Sequence, residues 1–361
     1  MIIGGLLIVG GSAAVVISLW HQIKENYLQL AVFVAISSAA FGLGFFTYYR
    51  WKLEITGRTW LTIATLLVPL IFLAVVSLSR DQWSAPMLLA EGLSLGLFAY
   101  LVGQASRVLV PGPQWPQVVA VVGNAAAVLM AGHLMETGSA VWQVVMAGAV
   151  PVTLFGIAMG SQLYRAAALK KLDAEQAGGV FSLLGTGAFA LAVAFGLVVA
   201  KGTLAEGALA RFPHLAPLAA VAATVLLASG LIVVHGTARD PGLAGFRTAG
   251  TAVALGGLVA MLAAVLAAWP WPPGLTGVAL LEASTLVFVA FRYRMPVAHA
   301  GAITAGAIAY LVGFYLVVGE VSAELPTDGG RHLLRLLLDA RSGTALSGLF
   351  AALAVAAEGL A

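Results

Sequence analysis

Long apolar runs dominate the chain, and short polar or Pro/Gly-rich segments separate them. Each run has about the 17 to 25 residues that an α-helix needs to cross roughly 30 Å of hydrocarbon. The pattern predicts an all-α fold, a polytopic transmembrane helical bundle of about twelve spans, which forms a single integral membrane domain over residues 1–361. The predicted spans are 2–20, 28–48, 59–79, 84–106, 116–135, 140–164, 178–200, 215–235, 248–269, 275–291, 300–318 and 344–361.

The first and last runs bear on the limits of the chain. No basic residue precedes the apolar stretch of 2–20, and no small-x-small cleavage site precedes His21. We therefore interpret this run as a retained span rather than a signal peptide. The last run is still apolar at Ala361. This leaves open that the chain is a fragment, in which case twelve spans is a lower bound.

The composition agrees with a location in a membrane and excludes several kinds of partner, cofactor and catalysis. Hydrophobic residues make up 61% of the chain and charged residues only 9%, against roughly 25% charged residues in soluble domains. The net charge is +3, and almost all of the 18 basic and 15 acidic residues lie between the apolar runs, so we expect no nucleic-acid partner. The absence of cysteine excludes disulfides, iron–sulfur clusters and thiolate catalysis. No cofactor and no metal site is predicted.

The basic residues predict an orientation. Counting connectors from the N-terminus, even-numbered connectors hold eleven of the 18 basic residues and odd-numbered connectors hold the other seven. By the positive-inside rule, the even connectors are cytoplasmic. One odd connector contains Arg331, Arg335 and Asp339 at intervals of four residues. This spacing predicts a short amphipathic helix at the membrane surface, with a solvated extension of the last span as the alternative.

Two segments of the chain resemble each other and predict a duplication. Arg58 precedes one span and Glu91 follows 33 residues later, while Arg247 precedes another and Glu282 follows 35 residues later. The two units lie six spans apart and would point the same way across the bilayer. This favours a parallel repeat of six plus six spans with halves 1–177 and 178–361, one of the repeat schemes found in transporters. The competing interpretation is chance similarity between apolar helices.

Ionisable side chains within spans are the first candidates for function, because burying one costs about 2.5 to 3.5 kcal/mol. Glu91 and Glu282 are the clearest cases, each predicted at a depth of about 11 Å. Each has a hydroxyl three residues later, Ser94 and Thr285, on the same helical face. These acids could bind a cation, a substrate or a proton. Alternatively, each clamps a neighbouring helix through a hydrogen bond.

A second group of polar residues lies in the fifth predicted span, 116–135, and at the residue that follows it. Asn124 lies near the middle of this span. We expect its side chain to form a hydrogen bond to a neighbouring helix, with contact to a substrate as the second alternative. His133 and Glu136 are three residues apart and could form a polar or proton relay or contribute two metal ligands, although no further ligand lies nearby in the sequence. The alternative for this pair is a cap at the membrane interface.

Close helix crossings are predicted where small residues cluster, as at Gly92 with Gly96 and at Gly256 with Gly257.

Function is constrained mainly by what the sequence lacks. It contains no phosphate-binding Gly-x-x-x-x-Gly-Lys-Ser/Thr loop, no His-Glu-x-x-His motif and no Gly-x-Ser-x-Gly elbow. Two hypotheses stay open: a secondary transporter or ion-coupled carrier for a small molecule or ion, and a non-catalytic membrane scaffold or assembly subunit. An enzyme using His133 and Glu136 ranks behind both.

The Ala/Gly/Val/Leu bias is typical of a GC-rich bacterial genome. We therefore expect a bacterial cytoplasmic membrane, with lipids, a further copy or a larger complex as partners.

Overall fold

The structure is a computed structural model that describes residues 26–78, 84–110, 112–136, 140–169, 171–203, 212–324 and 330–360. At position 136 it describes the backbone but not the side chain. The described residues form helices joined by short connectors. The helices are α1 Asn26–Tyr49, α2 Glu54–Leu78, α3 Ala85–Leu109, α4 (Trp115–Val118, Val119–Gly123 and Asn124–Glu136), α5 Val141–Ala168, α6 Ala174–Thr203, α7 Phe212–Gly236, α8 Ala244–Ala268, α9 Pro272–Tyr293, α10 Pro296–Val318, α11 Arg331–Leu337 and α12 Ala340–Leu360.

The predicted all-helical membrane bundle is confirmed. Within the described ranges, ten helices are long and apolar enough to cross a membrane, and they are α1 to α10. They correspond one to one with the second to eleventh predicted spans. The first predicted span lies outside the described residues. The twelfth coincides with α12, which is not among the ten.

Proline and glycine mark several helix ends. Pro272 and Pro296 occupy the first turns of α9 and α10, where a backbone N–H has no helical partner to lose. Helix α9 therefore begins three residues before the predicted limit at Leu275. Helix α10 ends where Gly319 adopts a φ of 80°, a left-handed conformation that glycine accepts without a steric penalty.

The described residues group into two compact units. The first is drawn from Met1–Gly138 and Gly178–Leu197, and the second from Ser139–Ala177 and Val198–Ala361. In the first unit, α2 packs against α1 and the C-terminal part of α4, and α3 lies against α1, α2 and the start of α4. The repeat halves 1–177 and 178–361 stay a prediction.

In the second unit, α7 is the central helix and contacts α5, α8 and α9. The α7–α8 crossing is close because glycines remove side chains from it. A Cβ atom placed on Gly257 would lie 2.5 Å from the backbone nitrogen of Leu227. The predicted close crossing at Gly256 and Gly257 therefore forms, through Gly257. Gly92 and Gly96 have no atoms within 4 Å of such a Cβ, so they do not support a close crossing among the described residues.

The predicted amphipathic segment forms a short helix, α11. Its polar residues Arg331 and Arg335 are exposed. Leu333 is 2% exposed and belongs to a cluster with residues of α7, α8, α9 and α10. Leu333 of α11 thus packs on the protein, while Leu334 is 49% exposed. The position of this helix at the membrane surface stays a prediction.

Candidate functional site

Glu91 lies on the buried side of α3. The buried residues Met87, Glu91, Ser94 and Phe98 recur every three or four positions and form one stripe of this helix. The opposite face carries Leu93, which is 76% exposed. Because 3.6 residues complete a turn, the carboxyl group of Glu91 points into the first unit instead of toward lipid.

The structure brings Glu91 together with His133 of α4. Nε2 of His133 lies 3.3 Å from Oε2 of Glu91. The side chain of Glu91 is 6% exposed and that of His133 is 14% exposed. Glu91 is six residues from the start of α3, and His133 is three residues from the end of α4. The pair therefore lies inside the spans, within about 9 Å of their ends on one side.

A carboxyl group next to an imidazole can hold a proton in more than one place. With one proton, the pair is either a neutral acid with a neutral imidazole or a carboxylate with an imidazolium. Adding one proton gives a neutral acid with an imidazolium, and removing one gives a carboxylate with a neutral imidazole. Little water reaches these side chains, so each group interacts strongly with the other. The arrangement is suited to taking up and releasing a proton.

Asn124 is fully buried and follows a short π-helical segment, Val119–Gly123. Its backbone N–H donates to Val121, and its side-chain Nδ2 donates to the carbonyl of Ala120 at 2.7 Å. The side-chain Nδ2 of Asn124 therefore donates its hydrogen bond within its own helix. It does not make the predicted hydrogen bond to a neighbouring helix. Its Oδ1 is buried without a hydrogen-bond partner among the described residues. π-Helical turns inside α-helices are frequent at functional sites.

Two further polar residues of this unit were missed in the sequence. Gln117 is 1% exposed, and its Nε2 donates to Oγ1 of Thr186 at 2.7 Å, which links α4 to α6. Gln117 precedes Asn124 by seven residues, close to two helical turns. That spacing was the available signal for a polar face on α4.

Glu282 lies in the second unit, on α9. It is 4% exposed, and none of the described residues donates a hydrogen bond to its Oε1. It is ten residues from the start of α9, whereas Glu91 is six from the start of α3. Counted from the start of its own helix, Glu282 therefore lies about one turn further along than Glu91. That the two acids lie at one depth in the membrane stays a prediction. A buried carboxyl group without a donor is a candidate for binding a proton or a cation.

The two predicted hydroxyl partners are engaged by their own helices. Ser94 Oγ donates to the carbonyl of Ala90 at 2.6 Å, and Thr285 Oγ1 donates to that of Leu281 at 2.8 Å. Each hydroxyl can still accept a hydrogen bond but has no second hydrogen to donate.

Of the predicted relay, only His133 can be assessed, because the side chain of Glu136 lies outside the described residues. Within the described ranges, no group of three or more His, Asp or Glu side chains is placed to hold a metal ion.

Comparison of this chain with protein-family models, curated proteins and solved structures finds no match.

Proposed function

We propose that the protein is a secondary transporter or ion-coupled carrier in which the Glu91–His133 pair binds the coupling proton. The observation that carries this proposal is the 3.3 Å separation of the two side chains inside membrane-spanning helices. A charged or strongly polar residue at this depth is costly and is usually retained for ion or substrate movement. The membrane we propose is a bacterial cytoplasmic membrane.

In this proposal, the two acids have different partners and different tasks. Glu91 shares its proton with His133, so protonation changes the charge of a pair that joins α3 to α4. Glu282 has no donor on Oε1 among the described residues, so it is assigned to a second proton or to the cationic group of a small-molecule or ion substrate. Both assignments use general acid–base and ion-pair chemistry and need no cofactor.

A non-catalytic scaffold is the second candidate function. It is favoured by the hydrogen bonds of Ser94 and Thr285, whose hydroxyl hydrogens are used by their own helix backbones. Under this alternative, the Glu91–His133 contact is a clamp between two helices, worth roughly 0.6 to 2 kcal/mol. Proton binding distinguishes the two functions, because a clamp that stays in one protonation state gives no signal.

Infrared difference spectroscopy tests proton binding directly. Purified protein in proteoliposomes is cycled between acidic and alkaline buffer, and the carbonyl stretch of protonated carboxylic acids is recorded. We expect a pH-dependent band that is missing in Glu91→Gln. Glu54→Gln is the matched control, because Glu54 is an exposed acid at the start of α2. If the wild type and Glu91→Gln give the same spectra, the scaffold function stands.

Transport is tested next on a solid-supported membrane with cationic, anionic and neutral solutes under an imposed proton gradient. A solute that evokes a gradient-dependent current in wild type should evoke none in Glu91→Gln and an unchanged current in Glu54→Gln. A current that survives in Glu91→Gln would assign transport, if present, to a site other than the Glu91–His133 pair.

A further inference from the structure

A groove of about 590 Å³ runs between α5, α7 and α9 of the second unit. Its volume is in the range of pockets that hold small organic ligands. Small and branched apolar side chains, such as Ala166, Ala228 and Leu231, make up most of its wall. Phe288 lies along the groove and is 64% exposed. All three helices are long and apolar enough to be membrane spans.

The hydroxyl groups that line the groove do not change this apolar character. Thr224, Ser284 and Thr285 each donate their hydroxyl hydrogen to a carbonyl of their own helix. Their hydroxyl oxygens can therefore only accept hydrogen bonds from a molecule bound in the groove. The interior is therefore suited to a hydrocarbon chain and poorly suited to a hydrated ion.

One end of the groove is different, because it is basic and aromatic. The ring of His235 lies 4.2 Å from the ring of Tyr293, and the guanidinium of Arg292 lies 5.6 Å from the same tyrosine ring. Arg292 is exposed and forms no ion pair with any described residue. Its five N–H donors are thus available to an anionic oxygen, and the tyrosine ring holds the guanidinium near the groove.

The surface around this end has an excess of positive charge. Helices α5, α7 and α9 all end here, as shown by the hydrogen bond from the backbone N–H of Leu172 to the carbonyl of Gly236 at 3.0 Å and by the His235–Tyr293 contact. Six described basic residues lie at these helix ends, in the adjoining connectors and in the first turn of α8, against three acidic ones. The basic residues are Arg165, Lys171, Arg239, Arg247, Arg292 and Arg294, and the acidic residues are Asp173, Glu175 and Asp240.

We propose that this groove binds one anionic phospholipid, with an acyl chain between α7 and α9 and the phosphate at Arg292. The apolar wall and the basic end match the two halves of such a molecule. Basic pockets between transmembrane helices bind anionic lipid head groups in this way. The proposal is independent of proton binding by Glu91 and His133.

The test uses full-length protein, delipidated in an uncharged detergent and titrated with phosphatidylglycerol or with phosphatidylcholine of the same acyl chains. Native mass spectrometry gives the dissociation constant of each bound lipid. We expect wild type to prefer phosphatidylglycerol. Arg292→Gln should weaken phosphatidylglycerol binding about fivefold, which corresponds to roughly 1 kcal/mol. Arg239→Gln is the matched control, because it removes one exposed charge from the same surface outside the groove.

A second variant tests the apolar wall. Ala228→Phe fills the groove and should weaken both lipids equally, whereas Arg292→Gln should weaken phosphatidylglycerol more than phosphatidylcholine, because choline offsets the charge of the phosphate. Glycerol 3-phosphate, which carries the head-group phosphate without acyl chains, should not displace the lipid. Equal losses in Arg292→Gln and Arg239→Gln would overturn the proposal, since they would indicate diffuse surface charge. Unchanged lipid binding in Ala228→Phe, or displacement by glycerol 3-phosphate, would overturn it as well.

Discussion

The imidazole of His133 lies 3.3 Å from the carboxyl group of Glu91, although the two residues are 42 positions apart in the chain. The contact joins α3 to the end of α4 and leaves both side chains largely buried. A buried pair of this kind affects stability as well as chemistry, because each group provides the other with a polar partner that the hydrocarbon cannot supply.

We expect Glu91→Gln and His133→Gln each to lower the free energy of unfolding by about 1 to 2 kcal/mol, since each leaves a buried polar group with a poorer partner. The double variant should lose less than the two single losses added together, with a coupling energy of roughly 0.6 to 2 kcal/mol. Unfolding of the purified protein by a denaturing detergent measures these values. Glu54→Gln, an exposed change of the same kind, should have little effect.

A second prediction concerns the link between α4 and α6. Thr186→Val removes the hydroxyl that accepts the amide of Gln117, and the buried amide then lacks that acceptor. We expect a loss of about 1 to 2 kcal/mol in the free energy of unfolding. Thr65→Val is the control, because Thr65 is equally buried but donates only to the carbonyl of Leu61 in its own helix. Equal losses in the two variants would contradict a special role for the Gln117–Thr186 bond.

The sequence predicted ten described spans correctly because length and hydropathy decide which segments cross a bilayer. It could not predict which helices are neighbours. On α3, Leu93 faces outward and Phe98 faces inward, and both are apolar. Hydrophobicity therefore does not distinguish the lipid face from the protein face in a membrane. This is why His133 was grouped with Glu136 in the same span and not with Glu91.

The π-helical segment Val119–Gly123 was missed for a related reason. No proline lies inside it, and its valines and alanine are ordinary residues for a membrane span. The buried positions of Glu91 and Glu282, in contrast, could be predicted, because a carboxyl group in a long apolar run has few alternatives to the protein interior. Their roles in transport stay predictions.

A third prediction concerns the α10–α11–α12 region. The hydroxyl of Tyr315 donates to the carbonyl of Leu336 at 3.1 Å and lies 2.7 Å from Oγ of Ser342. Tyr315→Phe removes both contacts, so we expect faster backbone hydrogen exchange in α11 and a stability loss of about 1 kcal/mol. Tyr310→Phe on the same helix should leave exchange in α11 unchanged. Equal exchange in wild type and Tyr315→Phe would show that the hydroxyl of Tyr315 does not hold α11 in place.

The last prediction uses two adjacent glycines of α8. A Cβ on Gly257 would lie 2.5 Å from the backbone nitrogen of Leu227, a distance that real Cβ atoms do not reach, so Gly257→Ala must push α8 away from α7. Such overpacking typically costs about 1 to 3 kcal/mol. At Gly256 no atom lies within 4 Å of the added Cβ, and alanine is the better helix former by up to about 1 kcal/mol.

Gly256→Ala should therefore be neutral or slightly stabilising, while Gly257→Ala should unfold at a lower concentration of denaturing detergent. Because the two variants add the same methyl group to the same helix, a difference between them reports the α7–α8 contact and not helix propensity. Equal effects would mean that α7 and α8 are not packed through Gly257.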